Sequence, residues 1–252
     1  RLPNTDAARI RAMKTALSKS KELPPQQLAY SAKNIVRILR FLPLFENSIQ
    51  LQRQSANTQS TRGREYNEAL RKARVYLTHF IRVMNMAIFR GELQPETRAF
   101  YGLATNDTSV PPLSTENELI IWGKRIIEGE EQRIRRGGSP ITNPTIAVVK
   151  VRYQSFVEQY NYHKVLVKKT LDFSEKTADM RKEADGIVLE IWNEIEEAHK
   201  HLEEDVRRKE CESYGLVYFY RKNELKKISE PVQEAAPETA ASEVIEADPI
   251  TL

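Results

Sequence analysis

Apolar residues recur every three or four positions through most of this chain, and the breaks in that rhythm divide it into segments. Ile10, Met13 and Leu17 follow a polar opening at Asn4, Thr5 and Asp6, which predicts a short capped helix that stops before Pro24-Pro25. From that proline pair onward Leu28, Ala32, Ile35, Leu39 and Leu42 form a heptad-like seam, so a long helix is expected there. The polar residues 52–61 interrupt the seam and read as a solvated helix end or a connector. Leu70, Leu77, Ile81, Met84 and Ile88 then mark another long helix, widened by Ala73 and Phe80 and stopped by Gly91 and Pro95.

After residue 113 the pattern begins again. Thr115 and Glu118 fit a capping box ahead of Leu119, Trp122, Ile126 and Ile127. Gly137-Gly138 and Pro140 break that helix, and Pro144 opens one seamed by Ile146, Val149, Tyr153, Phe156, Tyr160, His163 and Val167. A hairpin turn is expected within residues 173–180, followed by a last long helix carrying Val188, Ile191, Trp192 and Ile195. Both halves close on one tripeptide, Tyr101-Gly102-Leu103 and Tyr214-Gly215-Leu216, where glycine lets the chain leave the helical conformation.

Helical periodicity in every segment predicts an all-α fold. The expected architecture is an elongated up-down helical bundle from two similar halves, each a short helix plus a long helical hairpin, with pseudo-twofold symmetry. Residues 1–103 would form the first unit, 104–113 a Pro-rich linker, and 114–220 a second unit packed on the first. Residues 221–252 would be an extension and an acidic tail, too poor in apolar surface to offset the entropy of ordering.

Composition narrows the setting. No apolar run reaches the roughly 18 residues of a transmembrane helix, so no membrane partner is expected. Arg1-Leu2-Pro3-Asn4 is not a basic region followed by an apolar stretch, so no signal peptide is visible, and the single cysteine, Cys211, forms no intrachain disulfide and says little about compartment; a cytoplasmic location is the default expectation. Six acidic residues and no Lys or Arg lie in residues 229–252; removing those six negative charges takes the formal +4 of the whole chain to +10 for residues 1–228.

That basic body raises nucleic-acid binding through helix faces as one alternative. Its candidate contacts are Lys33, Arg37 and Arg40; Arg133, Arg135 and Arg136, beside a Gly-Gly loop that could also hold an anion; and Arg207, Arg208 and Lys209. A metal or small-molecule site in the bundle core is the other. Glu196 and His199 have the Glu-x-x-His spacing of a helix-borne ligand pair, and Glu46 and His163 are the residues that could complete a constellation from other helices. Tyr153, Phe156 and Tyr160 could line a pocket, but at helical spacing they read first as core.

No residue set has the spacing of a known catalytic apparatus, and Cys211 has no identifiable base. The leading expectation is a non-catalytic helical interaction or scaffold protein with an unknown protein partner and no cofactor. The stretch from Lys72-Ala73-Arg74-Val75-Tyr76-Leu77 through Gly91-Glu92-Leu93-Gln94-Pro95-Glu96-Thr97-Arg98 to Tyr101-Gly102-Leu103 resembles segments of uncharacterised, mostly helical proteins of Bacteroidetes. The resemblance implies a bacterial source and a helical fold, and no activity.

Overall fold

A computed structural model describes residues 2–218, and the expected tail at 221–252 lies outside them. Five α-helices make up the described chain: α1 (Asp6–Glu22), α2 (Ala32–Phe89), α3 (Glu116–Arg135), α4 (Ile146–Ala198) and α5 (Glu204–Ser213). Two short 3-10 segments, Pro25–Gln27 and Pro95–Tyr101, precede and follow α2. The fold is all-α, as the periodicity requires.

The turn expected inside each half does not form. α2 is one helix of 58 residues and α4 one of 53, which at 1.5 Å per residue makes them about 87 and 80 Å long. Each half therefore sets a short helix before a single very long one, the second half adding α5, and the hairpin is made between halves. α2 and α4 run antiparallel, as shown by successive contacts that climb one helix while descending the other: Arg37 with Glu190, Ser48 with Thr177, Ser55 with Thr170, Tyr66 with His163 and Tyr76 with Arg152. The polar stretch 52–61 stays helical because only a narrow strip of it faces α4. There Ser55 and Thr170 share a hydrogen bond at 2.9 Å, and Gln52 donates to Ser174 at 3.2 Å. Residues 173–180 contain no glycine or proline, so nothing in them stops a helix.

Each end of this helix pair carries a lobe with its own core. Lobe 1 gathers Met13 and Ala16 of α1, Ile38, Phe41 and Phe45 of α2, Ile187, Ile191, Trp192 and Ile195 of α4, and Cys211, Tyr214 and Leu216. Lobe 2 gathers Leu77, Phe80, Ile81 and Met84 of α2, Tyr101 and Leu103, Leu119 and Ile126 of α3, and Val149 and Phe156 of α4. The linker 104–113 is thus a connection within lobe 2, and both lobes draw on residues from each side of it. The seam through Leu28 and Leu39 is also corrected. α2 begins at Ala32, its buried stripe passes through Ile38 and Phe45, and Leu39 is 54% exposed.

Local signals set the helix ends. Thr5 caps α1 by accepting from Ala8 N–H, and Thr115 and Glu118 close the reciprocal capping box at α3. Two bidentate ion pairs fasten α1 to α4: Arg9 donates to Asp185 at 2.8 and 2.9 Å, and Arg181 to Asp6 at 2.8 Å through both nitrogens. At the paired tripeptides Gly102 and Gly215 have φ of 69° and 94°, so each adopts the left-handed conformation that glycine accepts without strain.

Candidate functional site

The candidate site is a cleft in lobe 1, assembled where the two ends of the described chain meet. Residues Leu2, Pro3 and Asn4 enter along one edge. From the cap at Thr5, helical spacing then places Ala8, Ala12 and Thr15 on one wall. The opposite wall is Gly215, Leu216 and Val217, where the chain leaves α5, and Trp192 of α4 forms the floor with 2% of its surface exposed. Small residues on α1 are what leave the space open. A β-carbon at Gly215 would stand 3.0 Å from the Thr15 Cβ, so the two walls touch at one end and diverge from there. The resulting cleft encloses about 550 Å³ and presents mostly apolar surface, with Arg11 and Glu212 beside it.

Lobe 2 shows the contrasting case. Tyr101, at the position matching Tyr214, donates to Glu130, which also receives two bonds from Arg133 at 2.8 and 2.9 Å and one from the Ile141 N–H at 3.0 Å. Burial pushes the Glu130 carboxyl up, but the Arg133 guanidinium, the Ile141 N–H and the Tyr101 hydroxyl outweigh it and hold the group below its ordinary value. Burial and the bond to Glu130 raise the Tyr101 phenol. Beyond Leu103, the buried Arg98 holds the linker by donating to the carbonyls of Ala104 and Ser109, at 2.6 and 3.2 Å, and Asn85 donates to that of Thr108 at 2.8 Å. On α3, the Arg125 guanidinium lies 5.1 Å from the Trp122 ring centre.

The chain matches no family model, no curated protein and no solved structure. Its own geometry is the guide to its chemistry.

The four residues of the metal constellation are spread along the helices. Tyr66, which stacks on His163 at 4.5 Å, lies twenty residues along α2 from Glu46, about 30 Å at the helical rise. Glu46 pairs with Lys14 at 2.8 Å, and His199 bonds the Ile195 carbonyl through Nδ1 at 2.8 Å. Glu196 accepts from the Tyr218 hydroxyl at 3.0 Å. Among the described residues no three His, Cys, Asp or Glu side chains converge as a metal site.

The basic candidates are similarly dispersed. Lys33 and Arg37 both reach Glu190, at 3.4 and 2.6 Å, while Arg40 stands exposed beside a shallow apolar groove with Val36, Phe41 and Leu44. Arg133 is corrected outright. It is 5% exposed, and Glu130, Tyr101 and the Ser139 carbonyl consume its donors, so it cannot meet an external anion. Arg135 pairs with Glu131 at 3.6 Å, and Arg136 lies over the Phe100 ring at 5.3 Å. Arg208 pairs with Glu204, Arg207 is half-buried, and Lys209 is exposed. Phe156 is core, Tyr160 packs beside it, and the Tyr153 hydroxyl donates to the Ile120 carbonyl at 3.0 Å, so that aromatic seam is filled. Cys211 is buried and free, its thiol pushed up by burial.

Sequence reasoning did not find the cleft. Its signal was a difference between the two short helices: α1 has Ala8, Ala12 and Thr15 at the distances from its capping threonine where α3 has Glu118, Trp122 and Arg125.

Proposed function

We propose that this protein is a non-catalytic interaction or scaffold protein, in which α2 and α4 act as a spacer between two lobes and a protein partner docks at the lobe 1 cleft. The cleft carries this reading: it is a concave, mostly apolar surface at the extremity of a long molecule, where a partner meets few steric obstacles. The ionisable groups buried in lobe 2 are bonded to one another, which suits holding a shape. A bacterial cytoplasmic setting belongs to the same reading. No helix among the described residues is long and apolar enough to cross a membrane.

A photo-crosslinking residue placed at Thr15, on the cleft wall, or at Lys169, on the shaft, tests it inside native cells. The reading requires discrete protein adducts from Thr15 and none from Lys169. Adducts from neither position, or the same adducts from both, would reject it.

A further inference from the structure

The second half of the chain indicates what the lobe 1 cleft accepts. Thr5 and Thr115 cap α1 and α3, and ten residues beyond each cap the helix meets a left-handed glycine: Thr15 faces Gly215, and the Cδ of Arg125 lies 4.0 Å from the β-carbon position of Gly102. The two helices therefore approach their Tyr-Gly-Leu corners at matching positions. Counting from the caps, Ala12 of α1 matches Trp122 of α3. Where α3 carries an indole paired with the Arg125 guanidinium, α1 carries a methyl group beside an open space.

Resting on the docking reading above, we infer that this space receives an aromatic side chain of a partner protein, seated against Ala8 and Ala12 and over Trp192. Three features fit that occupant. The lining is mostly apolar, and a flat ring buries a large apolar area against Ala8, Ala12 and Leu216. Arg11 lies beside the cleft with no ion-pair partner among the described residues, and a guanidinium next to a docked ring repeats the Arg125–Trp122 arrangement. Glu212, also without an ion-pair partner among the described residues, offers a carboxylate to a basic residue flanking the ring. A cleft of about 550 Å³ holds a tryptophan or tyrosine side chain together with its flanking backbone. Aromatic anchors in pockets of this kind dominate many protein interfaces.

The test uses the full chain and a capped tripeptide, Asp-Trp-Lys, with 5-fluorotryptophan at its centre, followed by fluorine NMR line broadening. Saturable broadening is expected. It should weaken by about tenfold or more in Ala12→Trp, which fills the space as α3 does, and in Ala8→Leu, which narrows it by a smaller change. Val165→Lys on the shaft should leave it unchanged, and circular dichroism with melting curves confirms that each variant is folded.

Equal broadening in the wild type and both cleft variants overturns the proposal, as does equal displacement by the capped Asp-Leu-Lys tripeptide. Free 5-fluoroindole binding as tightly as the peptide assigns the cleft to a small aromatic molecule instead. If alanine at both Phe219 and Tyr220 strengthens peptide binding by about tenfold, the chain's own continuation is the occupant and the proposal fails. Adducts at Thr15 without peptide binding reject the aromatic anchor alone and leave the docking reading standing.

Discussion

Glu130 and Arg133, one helical turn apart on α3, meet through two nearly parallel N–H···O bonds of 2.8 and 2.9 Å in a place where both side chains are buried. Removing the charge of one leaves the other uncompensated, and Glu130→Gln is expected to destabilise the protein by about 3 kcal/mol. Chemical denaturation measures the loss. Tyr101→Phe, which deletes one bond to the same carboxylate and one from the Arg133 Nε but leaves both charges paired, should cost less, about 1–2 kcal/mol.

The same carboxylate gives a pH dependence. Its folded value lies below its unfolded one, so its contribution is fully present above the unfolded value, about 4.3, and is lost as pH falls through the folded value. The stability gap between wild type and Glu130→Gln should therefore hold from pH 7 to about 5 and narrow below about 4.3. A gap that is the same at pH 7 and pH 3 would contradict the assignment.

Hydroxyl pairs inside the shaft make a second prediction. Ser48 and Thr177 share a hydrogen bond at 2.8 Å and both are buried. Thr177→Val should cost about 1–2 kcal/mol by stranding the Ser48 hydroxyl, and Ser48→Ala combined with Thr177→Val should cost less than the two single changes added together. Denaturation midpoints of the four proteins in the cycle decide it.

Three glycines should respond in different directions. Gly215→Ala meets both a positive φ and the Thr15 side chain, and is expected to lose about 2 kcal/mol or more. Gly102→Ala has room around it and should lose only the backbone term, about 1–2 kcal/mol. Gly63 lies inside α2 with open space around it, so Gly63→Ala should stabilise by about 0.5–1 kcal/mol, which scanning calorimetry reads as a rise of a few degrees in Tm.

Features decided by neighbouring residues were legible in the sequence. The capping box at Thr115 and Glu118, the cap at Thr5 and the departures at Gly102 and Gly215 each depend on a few adjacent positions. The continuity of α2 and α4 was not legible, because residues 52–61 lack the apolar stripe by which a packed helix is recognised. A two-helix shaft exposes most of each helix, and Ser48 and Ser55 occupy places that a bundle would give to leucine. Leu39 misled for a related reason: counting from Leu28 set the phase before the helix had begun. Pairing Arg133 with Glu130 required only their spacing of three, yet the arginines around it suggested an outward surface. The cleft depends on what α1 lacks, and only its placement against Gly215 and Trp192 turns three small side chains into a cavity.

The way the lobes share the chain also orders events during synthesis. Every buried core residue of lobe 2 lies from Tyr66 to Phe156, so that lobe has all its parts when the ribosome has made about seven-tenths of the described protein. Lobe 1 must join Met13 to Ile191 and Leu216, and it stays open until nearly the last described residue has emerged. Through that interval Ile38, Phe41 and Phe45 have only α1 to cover them. The nascent protein therefore presents the lobe 1 face of α2 first and completes its burial last.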